Sequence, residues 1–198
     1  MNGRYSGYTL IEMLIVVSIT SIILIAMMRF LGSSLSSYRL VFLQTLANET
    51  ARVQLARMSH VIRSAHPSDA GSFPIVEASS QRLIFYADAD SDDDIERVRY
   101  ELDGTDLVRG VTQPTGDPIA YDVAEETVAT LARSIRNGAD PVFLYYTGGF
   151  PGDAAPASTI ADISYIQFSF VVDPDPAQDP PPVTVQSQVQ LRNLKINL

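Results

Sequence analysis

The chain has 198 residues, no cysteine, 46% hydrophobic residues and a formal net charge of -9. That charge is divided unevenly: residues 1–65 hold six Lys and Arg against two acids, and residues 66–198 hold eight against twenty-one. Without cysteine there is no disulfide, thiolate metal site or Cys nucleophile, and the acidic carboxyl-terminal two thirds lack the clustered cations needed to hold nucleic-acid phosphates.

The first informative stretch is Gly7-Tyr8-Thr9-Leu10-Ile11-Glu12, followed at once by the apolar run Met13 to Met28. A secretory signal would have an apolar core of about 7–15 residues with a small-residue cleavage site after it. Here the apolar stretch extends from Leu10 to Leu31 and no Ala-x-Ala pattern follows. About 20 such residues span a bilayer, so this segment reads as a membrane helix. Arg4 and the free amino terminus favour the cytoplasmic side for its start and the outside for the head, although Arg29 and Arg39 beyond the other end weaken the charge argument. Glu12 is the exceptional residue, because a charge at depth in a bilayer costs on the order of 3 kcal/mol unless it meets a partner.

The Gly-Tyr-Thr-Leu-Ile-Glu run, with its short leader carrying Arg4, resembles the processing site of type IV pilins and of the pseudopilins of type II secretion. The resemblance implies cleavage by prepilin peptidase between Gly7 and Tyr8, N-methylation of Tyr8, and polymerisation through the retained helix. Implied partners are other pilins or pseudopilins, the peptidase, a membrane assembly platform and the cytoplasmic membrane, with no direct nucleic-acid binding. In such a fibre Glu12 would pair with the Tyr8 amino group of a neighbouring subunit and set register; the plainer reading places its carboxylate at the headgroup level. Most relatives have Phe where this chain has Tyr8, which keeps the aromatic body. Main structural pilins commonly carry a helix-bending Pro in the apolar segment, and this chain has none. That departure points to a minor subunit or a pseudopilin rather than the main fibre protein.

From Ser33 to Ala65 there is neither Pro nor Gly, so one helix is expected from about Thr9 to Ala65, on the order of 85 Å long. Pro67 ends it. Two apolar stripes run along its exposed half at helical period. Leu40, Leu43, Ala47, Ala51, Leu55, Met58, Ile62 and Ala65 are assigned to packing under the head. Leu35, Phe42, Leu46 and Val53 face roughly the other way and suggest contact with neighbouring helices, or else a wider internal interface.

In the head, Arg82 to Ala87, Val98 to Leu102 and Leu107 to Val111 read as a meander with a turn at Asp103-Gly104. Thr127 to Ile135 is ambiguous between strand and short helix, and Val142 to Thr147 is a strand before Gly148-Gly149. Ile163 to Val172 and Val183 to Leu191 alternate as half-buried antiparallel strands, separated by the proline-rich exposed loop 173–182. The expected fold is α+β, a long amino-terminal helix packed against an antiparallel β-sheet head. Its divisions are a leader (1–7), a transmembrane and polymerisation helix (8–31), an amphipathic continuation (32–65) and a β-rich head (66–198).

The densest charge cluster is Asp88-Ala-Asp90-Ser-Asp92-Asp93-Asp94-Ile-Glu96. It reads first as a solvated connection between strands. The alternative is calcium held by Asp88, Asp90, Asp92, Asp94 and Glu96, since acids at alternate positions can turn oxygens inward. An EF-hand match fails, with Asp93 at the glycine position and Arg99 at the bidentate-acid position. His60 and His66, six residues apart, do not share a helical face. There is no Gly-x-Ser-x-Gly elbow, so a non-enzymatic role is expected. The primary reading is a minor type IV pilin that helps initiate or cap a fibre outside the cytoplasmic membrane. The alternatives are a minor pseudopilin and, from another class, a membrane-anchored extracytoplasmic enzyme.

Overall fold

The computed structural model describes residues 7–148, 155–177 and 181–191, so residues 1–6 of the leader, the stretch 149–154 that follows Gly148 and part of the proline-rich loop lie outside the described residues. The chain forms two compact units, Met1–Phe42 and Leu43–Leu198. A single helix, α1 (Leu10–Arg63), contributes to both. It runs unbroken through Gly32, where a side chain would meet nothing.

In the first unit α1 is apolar on every side, and every large hydrophobic residue from Leu10 to Leu31 is exposed. The polar residues here satisfy themselves along the helix. Ser18, Thr20 and Ser21 donate their hydroxyls to the carbonyls of Leu14, Val16 and Val17 at 2.8, 2.7 and 2.8 Å, the arrangement that makes hydroxyls tolerable in an apolar medium.

In the second unit the last third of α1 supplies one face of the core through Ala51, Leu55, Met58 and Ile62. Ala47 packs against that core, whereas Leu43 is 39% exposed and Gln44 beside it is buried instead. Two antiparallel sheets cover this face, one more than the single sheet expected. The first has five strands in sequential order: β1 (Ile75–Ala78), β2 (Arg82–Ala87), β3 (Glu96–Asp103), β4 (Asp106–Thr112) and β5 (Thr127–Ala132). The second has three: β6 (Phe143–Tyr146), β7 (Tyr165–Val172) and β8 (Val183–Gln190). The meander expected over 81–111 is present, and Gly104 at φ 62° makes its β3–β4 turn. Thr127–Ala132 is a strand, because it pairs with β4; a short 3-10 turn, Val123–Glu125, precedes it.

The alternation in β7 carries through to burial, with Ile166, Phe168, Phe170 and Val172 inward. In β3 the same period sends Glu96, Val98 and Tyr100 inward and Arg97, Arg99 and Glu101 to the opposite face. Polar contacts join the elements where no ladder does. Val142 and Phe143 both donate backbone N–H groups to Ser80 O, and Tyr145 Oη donates to Ser79 O at 2.8 Å. Gln44 Nε2 donates to Val172 O at 3.1 Å, and the Ser59 and Ser187 hydroxyls meet at 3.0 Å, fastening α1 to the three-stranded sheet.

On the outer face of β3, Glu126 lies between cations. Arg99 Nε donates to its Oε1 at 2.9 Å and Arg99 Nη2 to its Oε2 at 2.6 Å, with Arg97 3.9 Å away. Arg99 also pairs with Glu101, which pairs in turn with Arg82. Burial alone would raise the Glu101 pKa, but the hydrogen bonds and charges of Arg82 and Arg99 outweigh it and hold the carboxyl below its ordinary value. Gly110, opposite Arg99 in the ladder, leaves room for this network: a Cβ there would collide with the Glu126 carboxylate.

Gly110→Ala is therefore expected to destabilise the folded head by about 1–3 kcal/mol by displacing Glu126 from Arg99. In a Glu126→Ala background the same change should cost much less, which denaturation of the four proteins in a double-mutant cycle measures. Equal costs in both backgrounds would mean that the strain lies elsewhere.

Candidate functional site

Gly7 and Tyr8 precede α1, exposed and outside any regular element, and a Cβ on Gly7 would touch nothing. The fold places no demand for glycine at that position. The helix begins through Thr9, whose Oγ1 accepts the Glu12 backbone N–H at 3.3 Å while its carbonyl accepts Met13 N–H at 3.2 Å. Thr-x-x-Glu is the sequence form of an amino-terminal cap, which satisfies one of the four N–H groups that the first turn leaves unpaired. Thr9 is thus a site residue that the reading of Glu12 as a buried charge passed over, although the spacing signals it. Glu12 itself is exposed in the first turn, where its negative charge complements the positive end of the helix dipole.

The acidic run forms the β2–β3 connection. Of its five candidate ligands the structure brings three together, with ligand oxygens of Asp88, Asp90 and Glu96 all within 4.8 Å of one another. Asp92 and Asp94 are not in this group. Asp92 Oδ1 accepts the Asp94 N–H at 3.0 Å, and both side chains are exposed. Glu96 is fully buried because it starts the inward-facing row of β3. Its removal from water pushes its pKa up, an effect that the Ala89 N–H offsets and the charges of Asp90 and Asp92 reinforce. Asp93, at the position where an EF-hand has glycine, adopts φ 74°, so the loop takes the left-handed turn there without one. His60 and His66 are both exposed, with His66 Nδ1 3.0 Å from Pro67 O.

The second helical stripe also stays open. Leu46 and Val53 on the head's portion of α1 are 55% and 40% exposed, and Leu35 and Phe42 in the first unit are exposed as well. A groove beside that face is lined by Leu46, Ala47 and Thr50 and by Thr130, Leu131 and Arg133 of β5 and the residues after it.

Residues 2–28 match the prokaryotic N-terminal methylation motif. The chain carries the prepilin signature of type IV pilins and pseudopilins. No curated protein matches the chain. The signature accounts for the apolar segment of α1, which is long and apolar enough to cross a membrane and stays exposed. A membrane-anchored pilin or pseudopilin fits both observations.

The two faces of α1 should respond differently to truncation. Leu46→Ala and Val53→Ala are each expected to change the stability of the chain in detergent micelles by no more than about 0.5 kcal/mol. Met58→Ala, on the core face, should cost about 2–5 kcal/mol. A loss above about 2 kcal/mol from either exposed residue would place it in an internal interface instead.

Proposed function

We propose that this chain is a minor type IV pilin, a structural subunit that helps initiate or cap a fibre. The observation that carries the reading is the junction of a prepilin signature with an uninterrupted helix whose apolar segment is exposed, and a head of two sheets. Prepilin peptidase would cut between Gly7 and Tyr8, in the exposed stretch ahead of the Thr9 cap, and the new Tyr8 amino group would be methylated. The helix would leave the cytoplasmic membrane for the fibre through the assembly platform and pack against other pilins, with its head outside that membrane. A large head suits a tip position, where it does not obstruct the stacking of subunits below.

In this reading Glu12 has two tasks. Its backbone N–H is held by the Thr9 hydroxyl, and its carboxylate would receive the Tyr8 ammonium of the adjoining subunit, so that neither charge is left alone among apolar helices. The exposed stripe Leu35, Phe42, Leu46 and Val53 would continue that packing beyond the apolar segment. The role is binding and assembly, without catalysis.

Mass spectrometry of the amino-terminal peptide from sheared surface filaments and from membranes tests the assignment. A filament peptide that begins at methylated Tyr8 is the expected result. A processed peptide confined to membranes would overturn the pilus assignment in favour of a secretion pseudopilin, and an intact leader throughout would overturn both. A separate expectation concerns Glu12→Ala, which should be cleaved normally yet recovered in filaments at about a tenth or less of the wild-type amount, the scale of losing a buried charge partner. Immunoblots of the filament and membrane fractions measure this. Normal incorporation of the variant would remove Glu12 from the assembly contact.

A further inference from the structure

Glu96 begins β3 on the wrong side of the sheet for a carboxylate. The strand's period places it in the inward row with Val98 and Tyr100, and it is 0% exposed. Its Oε2 accepts the Ala89 N–H at 2.7 Å, but its Oε1 is buried without a hydrogen-bond partner. The cations of the same strand do not compensate it, since Arg97 and Arg99 lie on the opposite face against Glu126 and Glu101. What does approach Glu96 is more negative charge, from Asp88 and Asp90. A buried carboxylate without a counter-charge is strongly disfavoured, and two further acids beside it raise the cost.

We propose that Asp88, Asp90 and Glu96 form a calcium site that closes the β2–β3 connection. A proton would neutralise one of the three carboxyls and leave the other two side by side, whereas a divalent cation attracts all three. The donor set is oxygen only, with no sulfur or imidazole among the three residues, which selects a hard cation over zinc or copper. Two oxygens that share calcium at about 2.3–2.6 Å lie up to about 5 Å apart, so oxygens within 4.8 Å of one another fit around it. Calcium accepts an irregular oxygen set from a strand end and a connection, whereas magnesium demands near-ideal octahedral geometry. Glu96 supplies the fixed, buried ligand at the strand end, and Asp88 and the exposed Asp90 supply ligands from the connection. Asp88 Oδ1 also accepts the Ser91 N–H at 2.6 Å, which holds that side chain in place.

Isothermal titration and thermal unfolding of the full chain in detergent micelles, stripped with chelator and then given calcium chloride alone, test the site. Binding of about one ion per chain at submillimolar to millimolar concentration and a rise in Tm are expected. Asp90→Asn, at an exposed position, should keep or slightly raise the chelator-treated Tm, since it removes one of the crowded charges, and should weaken calcium binding about tenfold or more. Glu96→Gln should keep or raise that Tm, since it removes the uncompensated charge, and should abolish the calcium response. Asp94→Asn, outside the group, should bind calcium as the wild type does. Absence of both heat and a Tm shift at millimolar calcium overturns the proposal. So does an equal weakening by Asp94→Asn and Asp90→Asn, which would signify a diffuse ion atmosphere around an acidic loop. An equal response to magnesium would overturn the assignment to calcium.

Discussion

A helix that is apolar around its whole circumference, with none of that surface buried by its own chain, is the constraint on which the rest of this protein depends. Its backbone is self-sufficient, because an α-helix makes its hydrogen bonds internally, and its few hydroxyls bond back one turn. Its surface is not self-sufficient. At roughly 25 cal/mol per Å² of apolar area, a segment of this length cannot stay in water, and lipid or other helices must cover it. A prepilin signature at its start fits a helix that must be covered in this way.

That constraint also governs how the head is built. The apolar segment is unavailable to the head's core, so the head relies on the last third of α1 and on two sheets that share one helical face. The five-stranded and three-stranded sheets are coupled by a few directed bonds. Ser80 O receives two backbone donors, Tyr145 reaches Ser79, and Asn137 both donates to Ser169 O and accepts from Val171 N. Segment 134–137 runs beside the end of β7, where β6 has already stopped, and forms an isolated bridge between Ile135 and Val172. Buried polar groups need such partners, and here their pairing sets the relation of one sheet to the other.

Much of this was legible in the sequence, for reasons specific to each element. The long helix followed from the 33 residues Ser33 to Ala65 without Pro or Gly, and β7 and β8 from strict alternation, which a half-buried strand needs. The second sheet was not legible, because the pairing of β6 with β7 joins residues far apart in the chain and carries no local mark. Thr127 to Ala132 stayed ambiguous for the same reason: its partner β4 decides it. β1 escaped because it is four residues long and has Val76 pointing outward. At the acidic loop, composition flagged a run of six acids, but only the pleat of β3 separates Glu96 from the rest. Extending the row Val98, Tyr100 back by two residues would have found it.

Three carboxylates in this chain leave ordinary solvation by three routes, and the contrast shows what each needs. Glu126, with its side chain 10% exposed, is compensated within the chain, since Arg99 grips both of its oxygens and Arg97 stands near. Glu96 is more deeply buried and receives only one N–H, so its remaining oxygen calls for something the chain does not contain, which the proposed cation would supply. Glu12 is open to its surroundings in the single chain, and those surroundings are where its requirement arises. In water it would need nothing beyond its place at the helix start. Among apolar helices it needs a positive partner, and the chain's own nearby cations cannot serve from within the segment, because Arg29 lies more than four helical turns away. The amino group that proposed cleavage would create at Tyr8 is the one cation whose appearance coincides with the removal of the leader. A subunit whose buried charge is satisfied only after processing, and only by a neighbour, has assembly linked to maturation through one ion pair.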